Sequence, residues 1–81
     1  MKYSFTSKFI RSYRKFPVST QVKFDKQLKH LLSDINYPSL HAKKYDEATG
    51  VWQARVDRSI RFYFLIEEET YIFLDIQHHA K

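Results

Sequence analysis

Trp52-Gln53-Ala54-Arg55-Val56 and Ile60-Arg61-Phe62-Tyr63-Phe64-Leu65-Ile66 decide the fold. In the first stretch Trp52, Ala54 and Val56 alternate with Gln53, Arg55 and Asp57. In the second, Ile60, Phe62, Phe64 and Ile66 alternate with Arg61, Tyr63 and Leu65. A period of two puts successive side chains on opposite faces, so both stretches read as half-buried β-strands. Glu67-Glu68-Glu69 then reads as a charged turn, and Tyr71 to Ile76, rich in β-forming residues, as the last strand. Three consecutive strands joined by short turns predict an antiparallel meander.

Upstream of residue 50 the period changes. Residues 2–6 read as a short strand with Tyr3 and Phe5 on one face. Thr6 or Ser7 can cap a helix whose apolar side is Phe9, Ile10, Tyr13 and Phe16, ended by Pro17. Ser19 or Thr20 is expected to cap a second helix. Phe24, Leu28, Leu31, Leu32 and Ile35 form its apolar stripe, and Lys23, Lys26, Lys29 and His30 surround its polar side. Asn36-Tyr37-Pro38-Ser39 breaks that helix, because a residue before Pro avoids the helical region. The order β-α-α-β-β-β predicts one α+β domain over residues 1–81, with two helices on one face of an antiparallel-rich sheet. Trp52, Phe62, Phe64, Leu74, Leu28 and Leu32 are the expected core.

Composition bounds the function. Eighty-one residues suit a single small domain, and seven Phe, six Tyr and one Trp supply its apolar area. With no cysteine, the chain has no disulfide, thiolate metal site or cysteine nucleophile. Its one glycine leaves no Gly-rich phosphate loop. No apolar run is long enough to span a membrane, and Met1-Lys2-Tyr3-Ser4-Phe5 does not open a secretory signal, so the cytoplasm is the expected compartment. The net charge of +5 is uneven: residues 1–44 carry +8 and residues 45–81 carry −3. A basic half fits a polyanion or an acidic protein as partner, and equally a solvated helical surface.

If the helices cover one sheet face, alternation leaves Gln53, Arg55, Arg61, Tyr63, Tyr71, Phe73, Asp75 and Gln77 on the other. Guanidinium groups can contact phosphates bidentately, and rings can stack on bases, which is what single-stranded nucleic acid requires. The same residues also fit an ordinary exposed sheet with cross-strand pairs such as Arg61–Asp75. His78 and His79 point to opposite sides while the strand persists, which disfavours joint metal chelation. One His beside arginines suits acid–base chemistry on a phosphodiester; the pair also reads as solvated histidines or a purification-tag remnant.

Four segments, taken in order, resemble the RelE/ParE toxin family. They are Pro38-Ser39-Leu40-His41-Ala42-Lys43-Lys44, Trp52-Gln53-Ala54-Arg55-Val56, Arg61-Phe62-Tyr63-Phe64 and Leu74-Asp75-Ile76-Gln77-His78-His79. Together they span nearly the whole chain. The resemblance implies a toxin of a type II toxin–antitoxin module, in its RelE-like branch an mRNA interferase. Such an endoribonuclease cuts ribosome-bound mRNA without metal or other cofactor, inhibits translation and is neutralised by a cognate antitoxin protein. It implies that Arg61 contacts the scissile phosphate, that Arg55 binds the backbone or supports the transition state, and that His79 is general acid or base, with His78 as its substitute. Lys43, Lys44, Gln53 and Tyr63 would contact RNA. Two positions depart from the fullest family pattern: Ala80-Lys81 follow His79 where many RNase members carry a Tyr, and Gln53 stands where some carry Lys. The alternatives within the resemblance are a ParE-like toxin that inhibits DNA gyrase and an inactive RNA- or protein-binding relative.

Overall fold

The structure, a computed structural model, describes residues 1–79. Its elements are β1 (Lys2–Phe5), α1 (Ser7–Arg14), α2 (Val18–Ser33), a 3-10 turn (Pro38–Leu40), β2 (Lys43–Asp46), β3 (Val51–Arg55), β4 (Ile60–Glu67) and β5 (Thr70–His78). The five strands form one sheet in the order β1-β5-β4-β3-β2. All neighbours are antiparallel except β1, which runs parallel to β5. The α+β class and the meander agree with the sequence. Strand β2 is an addition to the expected order, because its four exposed residues, Lys-Lys-Tyr-Asp, carry no alternation of apolar and polar side chains.

Thr6 caps α1 as expected: its Oγ1 accepts from the Phe9 N–H at 3.1 Å and donates to the Phe73 carbonyl at 2.9 Å. One side chain thus starts the helix and ties it to β5. The second helix starts earlier than the expected Ser19 or Thr20 cap. Pro17 occupies the cap position, and Gln21 Nε2 donates to the carbonyls of Tyr13 and Phe16, satisfying the end of the preceding turn.

The core is aromatic and lies between the helices and the sheet. Phe9, Phe24, Phe62, Phe64 and Phe73 are all at most 2% exposed. Phe73 stands at their centre, with the rings of Phe5, Phe9, Phe24, Phe62 and Phe64 within 6.0 Å. Trp52, Leu28 and Leu32 pack around this cluster half-buried rather than inside it. Leu74 is half-buried and Ile66 is exposed.

Tyr71 and Phe73 correct the face expected from alternation, since both point into the core. The cause is a β-bulge. Phe64 pairs with Phe73 and Tyr63 pairs with Asp75, so Leu74 is the extra residue in β5. One inserted residue reverses the side-chain parity of everything before it. Downstream of the bulge Arg61 pairs with Gln77, so the Arg61–Asp75 pair of the alternative, ordinary-sheet reading does not form. Asp75 instead accepts from Ser12 Oγ at 2.7 Å and Gln77 Nε2 at 2.7 Å, with Lys8 Nζ at 3.5 Å, pinning α1 to the bulge.

Burial is the largest influence on the Asp75 carboxyl and pushes its pKa up. The hydrogen bonds from Gln77, Ser12 and the Ile76 N–H, with the charge of Lys8, outweigh it and hold the group below the usual carboxylate range. A depressed folded value stabilises the fold above the unfolded pKa, and that contribution disappears as pH falls through the folded value. Asp75→Asn is therefore expected to lose roughly 1–2 kcal/mol at pH 7, with a gap that closes on acidification below about pH 4. Urea titrations across that range check this; a gap independent of pH would contradict it.

The β4–β5 turn is tight. Glu68 and Glu69 both take left-handed backbone conformations, at φ 47° and 62°. Positive φ at both central residues is the geometry that matches the twist of a two-residue hairpin, here adopted without Asn or Gly.

Candidate functional site

The face of β3 and β4 turned away from the core carries two cross-strand rows. Lys43, Gln53 and Tyr63 lie side by side across β2, β3 and β4, and Arg55 lies opposite Arg61, which in turn lies opposite Gln77. Gln53 Nε2 donates to the Tyr63 hydroxyl at 3.2 Å, and the Tyr45 ring stands 5.1 Å from that of Tyr63. Two arginines directly opposite each other repel. The ion pairs among the described residues are Lys8–Asp75, Lys23–Asp57 and Lys44–Glu47, and none of them neutralises this pair.

Arg61 is 8% exposed, more covered than an open sheet surface implies. The cover comes from the β3–β4 turn and not from the helices. Its Nη1 donates to the carbonyls of Asp57 at 2.9 Å, Arg58 at 3.1 Å and Ile60 at 3.4 Å. The turn is itself fixed by Asp57, whose Oδ1 accepts from the backbone N–H groups of Ser59 and Ile60, both at 2.9 Å. Burial pushes the Asp57 carboxyl up, but these hydrogen bonds and Lys23 hold it below the ordinary range, so the clasp keeps its charge at neutral pH. The guanidinium is thereby held in one orientation before any ligand arrives.

The backbone N–H of His79 donates to the Ser59 carbonyl at 2.7 Å. This bond draws the end of β5 over the same turn that clasps Arg61. His41, Lys43, Gln53, Arg55, Arg61 and His79 together line a cleft of about 170 Å³. That is below the roughly 300 Å³ at which pockets for whole small molecules begin, and it suits a single charged group. A broader groove of about 530 Å³ shares His41 and Arg55 with the cleft and runs past Lys23, Lys26 and Arg58. On its wall the rings of His30 and Tyr37 stack at 3.7 Å.

The structure brings Arg55, Arg61, Lys43, Gln53 and His79 together, with Tyr63 bonded to Gln53. It places Lys44 and His78 elsewhere. Lys44 pairs with Trp52 on the opposite sheet face, its Nζ 5.5 Å from the indole and 3.8 Å from Glu47. His78 packs on Phe16 at 5.2 Å. Adjacent residues on a strand cannot share a face, which separates Lys43 from Lys44 and His79 from His78.

Two residues of the site went unread in the sequence. Gln27, 6% exposed on α2, donates to the carbonyls of Arg55 at 2.8 Å and Ser39 at 3.2 Å and accepts from Ser39 Oγ at 3.1 Å. It locks α2 to the ends of β3 and the 3-10 turn. His41 follows that turn in a left-handed conformation at φ 47°. Its position just ahead of the basic pair Lys43-Lys44 was the available signal.

The fold is that of small bacterial and archaeal toxins. A YoeB/ParE toxin from Agrobacterium tumefaciens superposes with a TM-score of 0.81 at 13% identity, covering 99% of this chain and 100% of that one. The toxin–antitoxin complex RelBE2 from Mycobacterium tuberculosis gives 0.75 at 22% identity, with 96% of each chain covered. The archaeal RelE–RelB complex from Pyrococcus horikoshii gives 0.81 at 9% identity, covering 99% and 96%. No protein-family model matches the chain, and no curated protein is significantly similar in sequence.

Proposed function

We propose that this protein is a type II toxin of the RelE/ParE superfamily that cuts mRNA on the ribosome. The observation that carries the reading is the unneutralised Arg55–Arg61 pair, with Arg61 clasped by the turn, in a phosphate-sized cleft beside His79 on the fold of RelE and YoeB toxins. Two facing arginines in a half-closed cleft gain most from a ligand carrying concentrated negative charge. A phosphodiester is such a ligand.

In this reading the ribose 2′-OH attacks the adjacent phosphorus, the P–O5′ bond breaks, and the products end in a 2′,3′-cyclic phosphate and a 5′-OH. Arg61 stabilises the charge that develops on the phosphoryl oxygens, and its fixed orientation means little reorganisation is needed at the moment of reaction. Arg55 grips the same phosphate or its neighbour. His79 transfers a proton. Lys43, Gln53 and Tyr63 hold the strand along the sheet, and the basic groove past Lys23 and Lys26 leads the flanking backbone away. The cognate antitoxin, an acidic protein in this reading, binds the basic half of the chain, and the site of action is the cytoplasm.

The test is expression in a bacterial host with and without the neighbouring gene, followed by mapping of mRNA 5′ ends. Growth arrest relieved by the neighbour, with new mRNA ends inside coding regions, is expected. Arrest with unaltered mRNA would overturn the nuclease reading.

A further inference from the structure

Among the described residues that line the cleft or the groove beside it, Asp57 is the single carboxylate. Lys23, Lys26, Arg55 and Arg58 surround it there. On a surface that binds RNA a carboxylate repels phosphate, so its charge works against binding. Its contacts give it a different use. Oδ1 accepts from the N–H groups of Ser59 and Ile60, both at 2.9 Å, and from Ser59 Oγ at 3.4 Å, while Oδ2 faces Lys23 Nζ at 3.4 Å. The turn stapled in this way holds two groups of the cleft. Its Asp57 and Arg58 carbonyls accept from Arg61 Nη1 at 2.9 and 3.1 Å, and its Ser59 carbonyl accepts from the His79 N–H at 2.7 Å. The bonds from Arg61 to described residues all run through Nη1, which leaves the Nε–Nη2 edge as the fork for a phosphate. Arg55, directly opposite, repels that fork, so its direction depends on the turn.

We propose that Asp57 is a positioning residue of the reaction: by stapling the β3–β4 turn it aims the Nε–Nη2 edge of Arg61 into the cleft and fixes that edge relative to His79. The inference rests on the mRNA-cleavage reading above and gives Asp57 no proton and no bond to the RNA. Its effect on the chemistry passes through Arg61. Stapling needs only an acceptor oxygen at the Oδ1 position, since both N–H groups and the Ser59 hydroxyl meet that one atom. The negative charge is a separate property, and it opposes the polyanion. One side chain thus acts in opposite senses on the two kinetic constants: its oxygen raises kcat through Arg61, and its charge raises KM through the groove. Its ion pair with Lys23 is partly exposed, with side-chain exposures of 58% for Lys23 and 26% for Asp57, and adds less to the staple than the backbone bonds do.

The experiment measures cleavage of ribosome-bound mRNA with kcat and KM separated, and thermal melts confirm folding. Asp57→Ala removes the oxygen and the charge; Asp57→Asn keeps the oxygen and removes the charge alone. Asp57→Ala should lower kcat roughly 10²-fold, the cost of misplacing a positioned group by on the order of 1 Å, with KM unchanged or lower. Asp57→Asn should recover most of kcat and keep the lower KM. A purely structural role would leave both constants of a folded variant where they were. In the Arg61→Lys background, where no fork remains to be aimed, Asp57→Ala should cost far less. The wild type supplies a test that no variant's folding can spoil: its side-chain ¹⁵N–¹H spectrum should show slow rotation of the Arg61 guanidinium. A folded Asp57→Ala protein with wild-type kcat, an Asp57→Asn protein as slow as Asp57→Ala, or a freely rotating Arg61 in the wild type overturns the inference while leaving the nuclease reading intact. A wild type that leaves ribosome-bound mRNA whole overturns both.

Discussion

Arg61→Ala is expected to abolish toxicity while leaving the protein folded. The guanidinium is fixed through one nitrogen by the carbonyls of Asp57 and Arg58 in the β3–β4 turn and of Ile60 at the start of β4, which points the rest of the group at the cleft. Arginines that neutralise a phosphoryl transition state are worth about 10³–10⁵ in rate, roughly 4–7 kcal/mol. Arg61→Lys should recover only part of this, because an ammonium held by these carbonyls has no second nitrogen with which to present a bidentate fork to the phosphate. Removing the side chain gives up its carbonyl hydrogen bonds but relieves repulsion with Arg55, so folding stability should fall by no more than about 1–3 kcal/mol. Cleavage of ribosome-bound mRNA by purified variants, with circular dichroism to confirm folding, measures both effects. A folded Arg61→Ala protein with wild-type cleavage would show that the assigned cleft is not the reaction centre.

The largest effect on stability is expected at Phe73. It is fully buried, and five phenylalanine rings from β1, α1, α2 and β4 close on it. Phe73→Ala leaves a cavity that rings fixed on four different elements cannot collapse to fill, at a cost of about 3–5 kcal/mol. Domains of this size have only about 5–15 kcal/mol in total. The melting temperature should therefore fall by at least about 12 °C. The antitoxin of the proposed reading, by binding the folded form, should recover part of the loss. A loss under about 1 kcal/mol in urea unfolding would mean that Phe73 is not the centre of the core.

Much of this architecture can be read from local pattern. Thr6 before an apolar helical stripe, the alternation around Phe62 and Phe64, and the charged Glu67–Glu69 segment each specify their element through nearest-neighbour physics. What escapes is set by tertiary partners. Strand β2 has no apolar pattern because, as an edge strand with all four residues exposed, it buries nothing. The bulge at Leu74 has no local signature, yet it moves Tyr71 and Phe73 from one face to the other. Gln27 falls on the buried side of α2 with Thr20, Phe24 and Leu31, but as a polar residue it is no part of an apolar stripe, and its partners in the 3-10 turn and β3 are set only by the tertiary fold.

The candidate site divides the same way. That Arg55 and Arg61 share a face follows from alternation, and so does the separation of His78 from His79. That Arg61 is clasped by the turn does not follow, because its partners are backbone carbonyls, which every residue carries. The place of His41 in the cleft depends on a left-handed backbone that no sequence period encodes.

The most direct measurement of the central claim uses purified wild-type protein, ribosomes programmed with a defined mRNA, and chemical identification of the new ends. The account predicts cleavage within the ribosome-bound codons, with a 2′,3′-cyclic phosphate on one fragment and a 5′-OH on the other. Intact mRNA, together with inhibition of DNA supercoiling by the same preparation, would contradict it and assign the protein to the gyrase-directed branch of toxins.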